Sequence, residues 1–343
     1  MRAATKLDNN TSKMRQNMQN INGYLLKVDD LKTYFPIKKG LLRRTVGYIK
    51  AVDGVSFGIR QGQTLGLVGE SGCGKTTVAR SIVRLVAATA GEVVFADKNV
   101  LRAAQDEMRW FRRQVSIIFQ DPFGSLNPRM TVGNIVGEPL KVHKNLTGRE
   151  LTEKVAVLLS KVGLSPEHIN RYPHEFSGGQ RQRISIARAL ALEPRLVICD
   201  EPVSSLDVSI QAQILNLLKD LQEEFKLTYL FIAHDLAVVE FFCDIVAVMY
   251  MGRIVEQATA QQLYQNPLHP YTRLLMSAIP QVSPSVRGAR EAHSGQVPST
   301  FELPKGCPFG PRCSFAKSDC DSQVPALKEI DGEAGHFVAC LKY

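Results

Sequence analysis

Thr64-Leu65-Gly66-Leu67-Val68 runs directly into Gly69-Glu70-Ser71-Gly72-Cys73-Gly74-Lys75-Thr76-Thr77, and this stretch decides the fold. Five strand-prone residues end in an octet, Gly69 to Thr76, that fits GxxxxGK[ST], and a helical pattern follows from Lys75 to Val86. Strand, phosphate loop and helix in that order are what the motif needs. The glycines let backbone N–H groups curl around a β-phosphate at a helix N-terminus. Lys75 can reach the β and γ oxygens and Thr76 can give a hydroxyl to Mg²⁺. Ser71, Gly72, Cys73, Gly74 and Thr77 complete the cradle, with Cys73 read as a small filler rather than a reactive thiol.

Moving outward, short apolar runs alternate with longer amphipathic ones, which predicts an α/β fold with a largely parallel sheet. Strands are expected at Val115 to Phe119, Leu196 to Cys199, Thr228 to Ala233 and Ile245 to Tyr250, and a helix at Val208 to Phe225. Between about Arg129 and Leu192 helical periodicity takes over, with Leu151 to Val162 and Gln180 to Leu192 the clearest cases, so a helical subdomain (about 121–192) is inserted. Pro267, Pro270, Pro280, Pro284, Pro298 and Pro304 mark a change into a C-terminal appendage. The expected division is a polar tail at 1–22, the main domain at 23–264 and the appendage at 265–343.

The chain of 343 residues is 44% hydrophobic and 22% charged, which excludes disorder and a disulfide mini-protein. Its longest apolar run, Ile245 to Met251, is far short of the roughly 20 residues of a membrane span. Residues Met1 to Asn22 have no apolar core of a secretory signal, so a cytosolic location is expected. The net charge of +9 is scattered without a basic run, and nucleic acid is not expected as a partner.

The strand Leu196-Val197-Ile198-Cys199 ends in Asp200-Glu201. The first acid suits Mg²⁺ and the second suits a general base that polarises the attacking water. Phe176-Ser177-Gly178-Gly179-Gln180 precedes a helix; read alone it is an N-cap, and its Ser hydroxyl and Gly N–H groups also make an anion site. This segment resembles the LSGGQ signature of ABC-type ATPases, with Phe176 in place of Leu. The other motifs follow the same order: Gln120 resembles the Q-loop, Ser205-Leu206-Asp207 the D-loop, and His234 the switch histidine.

The resemblance implies ATP and Mg²⁺ as ligands, with Thr76, Gln120 and Asp200 around the metal. It also implies a head-to-tail pair of such domains, in which Ser177, Gly178, Gly179 and Gln180 touch ATP held by the partner's loop. His234 would meet the γ-phosphate. Phe35, with Tyr48 second, is the candidate for stacking on adenine; packing is the alternative for each.

Three further segments narrow the family: Gln120-Asp121-Pro122-Phe123-Gly124-Ser125-Leu126-Asn127-Pro128-Arg129, His269-Pro270-Tyr271-Thr272-Arg273-Leu274-Leu275, and Gly306-Cys307-Pro308-Phe309-Gly310-Pro311-Arg312-Cys313. They look like the ATPases of oligopeptide, dipeptide and nickel importers, and the long stretch from Pro36 to Lys50 ahead of the core strand looks like the second ATPase subunit of dipeptide importers. This implies an ATPase powering uptake of short peptides, peripheral on the cytoplasmic face of the inner membrane. The implied partners are a second ABC ATPase forming a heterodimer, two membrane-spanning permeases and an extracytoplasmic binding protein. Nickel or another small solute is the alternative cargo. A soluble ABC ATPase acting on ribosomes or DNA is disfavoured, because there is one set of motifs and only 125 residues separate Lys75 from Asp200.

Four of the seven cysteines fall in the last 37 residues, spaced Cys307-x5-Cys313-x6-Cys320-x19-Cys340. In a reducing cytosol a metal or cluster site is favoured over disulfides. Structural zinc sites more typically use a close C-x₂₋₄-C pair, whereas an iron–sulfur cluster tolerates wider spacing. The family resemblance also points to a [4Fe–4S] cluster, with Zn²⁺ the alternative and unligated thiols a third. Because the ATP site lies more than 70 residues earlier on its own sheet, replacing any one of these cysteines is expected to leave nucleotide binding intact. Cys199 and Cys243 are expected in the core.

Overall fold

The computed structural model describes residues 23–40, 44–278 and 304–343. The polar 1–22 tail, Pro280, Pro284 and Pro298 lie outside the described residues. Twelve strands occur among those described: β1 (Tyr24–Lys39), β2 (Arg44–Arg60), β3 (Thr64–Val68), β4 (Ala90–Phe95), β5 (Lys98–Asn99), β6 (Val115–Ile118), β7 (Leu196–Asp200), β8 (Thr228–Ala233), β9 (Ile245–Tyr250), β10 (Arg253–Thr259), β11 (Lys328–Ile330) and β12 (Glu333–Val338). The described residues divide between two compact units, one of residues 23–40, 44–59, 65–101, 234–278 and 304–343, the other of 60–64 and 102–233.

In the first unit β2, β1, β4 and β5 form one sheet in that order. β1 and β4 are antiparallel, with Leu26 opposite Phe95 and Val28 opposite Val93; all four are fully buried, so alternation along the pair drives one face inward. A second sheet runs β11-β12-β10-β9-β3. β3 lies parallel to β9, Leu65 beside Ile245 and Val68 beside Val248. Every residue of β3 is buried, the behaviour of an apolar run in a parallel sheet covered on both faces. From β9 onward the pairing is antiparallel. The sheet is therefore mixed rather than largely parallel, because the chain after Tyr250 turns straight back at Met251–Gly252 and the C-terminal residues return to pair with β10.

That return is fixed by a buried carboxylate. Glu256 on β10 is fully buried and accepts hydrogen bonds from the backbone N–H groups of Leu268 (2.7 Å) and His269 (2.9 Å). It also pairs with His336 Nε2 on β12 at 2.8 Å, while His336 Nδ1 meets Glu333 at 2.7 Å. One side chain thereby joins β10, β12 and the start of helix Pro270–Ser277. Residues 304–343 thus belong to the first compact unit.

In the second unit β6, β7 and β8 are parallel, Ile117 beside Ile198 and Ile198 beside Leu230. Helices Val132–Lys144, Gly148–Lys161 and Gly178–Leu190 fill the stretch expected to be helical. The strands and helices expected between Thr64 and Tyr250 occur within a few residues of their sequence positions, the helix after the loop being the shortest at Lys75–Ile82. Among the described residues no helix is long and apolar enough to cross a membrane.

Candidate functional site

Gly69 to Thr76 leaves the C-terminal end of β3 and enters helix Lys75–Ile82. Gly74 has φ +110°, and a Cβ there would sit 2.1 Å from the Ala51 carbonyl oxygen, so the loop needs glycine on both conformational and steric grounds. Cys73 is buried behind the loop, where burial pushes its thiol pKa up despite nearby Lys75; the filler reading fits. Lys75 is itself buried, and its ammonium donates to the Gly69 carbonyl at 2.7 Å and the Glu70 carbonyl at 3.1 Å. Ser71 and Gly72 are exposed, and Thr76 and Thr77 are half-buried. A helix N-terminus behind a glycine-rich turn, with a buried ammonium beside it, suits a polyphosphate.

The second unit brings Gln120 and Glu201 together: the Gln120 amide donates to Glu201 Oε2 at 2.9 Å. Asp200, the last residue of β7, is buried. Glu201 takes φ +49°, uncommon for a residue with a side chain, and its N–H donates to the Ile232 carbonyl at 3.0 Å. Such backbone strain concentrates at functional sites. Ser177 is the N-cap of helix Gly178–Leu190. Its hydroxyl accepts from Gln180 N–H at 3.4 Å, and Gln180 Oε1 accepts from Ser177 N–H at 3.0 Å. The capping reading therefore holds, and the same geometry leaves the Gly178 and Gly179 amides at a helix start. Asp207 stands at the N-cap position of helix Val208–Phe225, makes no capping hydrogen bond through its side chain, and is exposed. His234 directly follows β8 and is exposed. The oxygen donors Thr76, Gln120 and Asp200 have the hardness Mg²⁺ prefers.

Of the two adenine candidates, Phe35 lies on β1 and Tyr48 on β2, and both are exposed. Solvent-facing rings on neighbouring strands are available to stack on a base, and neither is selected by its packing.

The four C-terminal cysteines line one cavity of about 400 Å³, with His269, Phe309 and Phe315 among its other walls. Cys307 is drawn in by its N–H, which donates to the Cys320 carbonyl at 2.7 Å. The crossing is close enough that a Cβ on Gly306 would stand 2.1 Å from that same oxygen. Burial, then mutual proximity, pushes the Cys307, Cys313 and Cys340 thiols up, a penalty that a metal's positive charge removes. Among the described residues no three His, Cys, Asp or Glu are set to hold one metal ion. Cys199 and Cys243 are buried in the core, as expected.

The tail nevertheless touches the phosphate loop. Arg312, one residue before Cys313, donates through both Nη atoms to the Glu70 carboxylate, each at 3.0 Å. Tyr271 Oη accepts from the Glu70 N–H at 2.8 Å. Sequence separation was a poor guide because the β10–β12 pairing folds the tail back. The signal lay in Tyr271 and Arg312, polar side chains set among prolines and glycine in His269-Pro270-Tyr271 and Gly310-Pro311-Arg312-Cys313.

Comparison with known proteins matches residues 52–204 to the ABC transporter family and residues 255–320 to the family described as the oligopeptide/dipeptide transporter C-terminal region. The oligopeptide transport ATP-binding protein AppF of Bacillus subtilis is 52% identical over 322 residues, covering 93% of this chain and 97% of that protein. OppF of Escherichia coli, with the same description, is 52% identical over 323 residues, covering 93% and 96%. Among solved structures, a dimeric ATP-binding cassette in a post-hydrolysis state with ADP and phosphate superposes with TM-score 0.61 at 28% identity, over 68% of this chain and 98% of that one. A component of an ABC transporter complex from Clostridium perfringens gives 0.60 at 28%, over 71% and 92%.

Proposed function

The chain belongs to the ATP-binding proteins of ABC transporters, in their oligopeptide-transport branch, and we propose on this premise that it is the ATP-hydrolysing subunit of an importer of oligopeptides, dipeptides included. The observation that carries the reading is the phosphate loop, with its left-handed glycines and Lys75 folded back over its own carbonyls. When a nucleotide arrives, Lys75 exchanges two carbonyl contacts for phosphate oxygens, so the ammonium never has to be stripped bare. Thr76, Gln120 and Asp200 would hold Mg²⁺, which neutralises phosphate charge when bound. Glu201 polarises the attacking water as general base, and Gln120, hydrogen-bonded to it, orients its carboxylate. His234 contacts the γ-phosphate. Ser177, Gly178, Gly179 and Gln180 complete the site of a second ABC ATPase, with Asp207 beside them. Phe35 or Tyr48 stacks on adenine.

Closure of that heterodimer on ATP drives two membrane-spanning permeases, which receive peptide from an extracytoplasmic binding protein; the chain works peripherally on the cytoplasmic face. Cys307, Cys313, Cys320 and Cys340 would hold a [4Fe–4S] cluster, supported by their shared cavity and soft donor set. Ligation by these four thiolates would cross-link a small lobe and add to its stability. Glu201→Gln tests the catalytic assignment. The isostere keeps the contact with Gln120 but cannot take a proton, so the assembled transporter should retain ATP binding and lose at least a hundredfold in kcat. Hydrolysis at the wild-type rate would remove Glu201 from its role.

A further inference from the structure

Glu70 is an awkward residue for a phosphate loop, since a carboxylate beside a polyphosphate repels it. In this chain it is answered from the far end of the sequence. Both Arg312 Nη atoms meet the carboxylate at 3.0 Å, a bidentate pair in which the Arg312 side chain is only 9% exposed. The guanidinium lies 5.8 Å from the Tyr250 ring and 5.7 Å from the Phe309 ring. Phe309 packs edge-on to Tyr250, and Tyr250 packs on Tyr271, whose hydroxyl accepts the Glu70 N–H. The same residue's carbonyl accepts Lys75. Glu70 is thus held through its carboxylate and amide by the C-terminal region, and through its carbonyl by the lysine that faces phosphate.

We propose that Arg312, carried by the four-cysteine lobe, is a positioning residue of the nucleotide site: it neutralises Glu70 and fixes the phosphate loop, coupling nucleotide binding to the folded lobe. The inference rests on the reading of Gly69 to Thr76 as the nucleotide loop. Coupling of this kind is reciprocal. Whatever loosens the lobe lowers the fraction of loops ready to bind, and weakens apparent affinity by that fraction.

The test is calorimetric binding of MgADP to the full-length chain as wild type, Arg312→Ala, Arg312→Lys, Glu70→Gln and the Arg312→Ala/Glu70→Gln double variant, with Lys75→Ala as control. Arg312→Ala should weaken MgADP at least tenfold. Arg312→Lys should fall between, since an ammonium neutralises the carboxylate without the planar fork. The double variant should bind more tightly than Arg312→Ala alone, because the bare carboxylate is gone; a purely structural staple would show no such rescue. MgADP should also slow tryptic cleavage after residue 304 in wild type and not in Arg312→Ala. MgADP affinities within twofold of wild type for Arg312→Ala, Arg312→Lys and Glu70→Gln, with Lys75→Ala still failing to bind, would overturn the inference and leave the loop reading intact. Normal binding by Lys75→Ala would instead overturn the loop reading.

Discussion

Asp53 shows how a buried charge is kept in the first unit. Its carboxylate accepts from the Tyr34 hydroxyl and from Arg253 Nε and Nη2, at 3.2 and 2.6 Å for the arginine. Burial alone pushes the carboxyl pKa up, but the bonds from Tyr34 and Arg253 outweigh it and the net shift is downward. Tyr34 is pushed up to about 12, by burial first and by the Asp53 carboxylate next. A depressed carboxyl stabilises the fold above its unfolded value near 3.9, and that contribution is lost as pH falls through the lower folded value. Asp53→Asn should therefore cost about 1 kcal/mol at pH 7, at the low end for a charged hydrogen bond because Arg253 is part-exposed and screened. Urea unfolding at pH 7 and pH 3 checks it, the difference between variant and wild type shrinking in acid. Lys75→Ala is expected to act elsewhere: nucleotide affinity should drop by tenfold or more with little change in stability, read by MgADP titration.

At the scale of elements, β12 and helix Pro270–Ser277 are tied to β10 by groups that titrate in opposite senses. His336 is bracketed by Glu256 and Glu333; burial lowers its pKa, but the two carboxylates win and raise it. Its contribution is full below about 6.5 and is lost as pH rises through the higher folded value. Buried His269, whose Nδ1 accepts the Tyr271 N–H at 3.0 Å, is pushed down to about 4. A histidine held neutral stabilises above about 6.5, and that support fades as pH falls toward 4. The C-terminal attachment should hold best near neutrality, with hydrogen exchange in β12 rising on both sides. A monotonic profile would contradict the pairing. Replacing any of Cys307, Cys313, Cys320 or Cys340 with Ser should bleach iron–sulfur absorbance in anaerobic protein and loosen the segment after Pro304. A colourless wild-type preparation holding one zinc would decide for the alternative.

Over the whole molecule, if Ser177 and Gly179 serve a partner's nucleotide as proposed, the isolated chain should be a weak ATPase and gain activity with a second ATPase and the permeases. A purified monomer matching the complex would refute this. The phosphate loop and the strand ending in Asp200-Glu201 were legible in sequence because local chemistry dictates them: glycines where φ is positive, and apolar runs where both faces are covered. The bond between Gln120 and Glu201 was not legible, since it depends on how β6 and β7 align. The antiparallel margin escaped too, because Arg253 to Thr259 carries an Arg, a Glu and a Gln, and its pairing with β12 spans some 80 residues. Glu256 reads as a surface charge until His336 and two backbone amides surround it.

That margin also governs how the protein behaves in company. β10 offers seven residues of backbone, and β12 occupies its outer side. Beyond it lies β11, three residues long and beginning Lys328-Glu329, a blunt and charged strand that gives another chain little to build on. A polypeptide ending before residue 328 would uncover the donors and acceptors of β10 with Ile254 and Val255 beside them, and should be prone to self-association through that edge. The C-terminal residues thereby keep copies of this protein from templating one another, quite apart from anything they do for ATP.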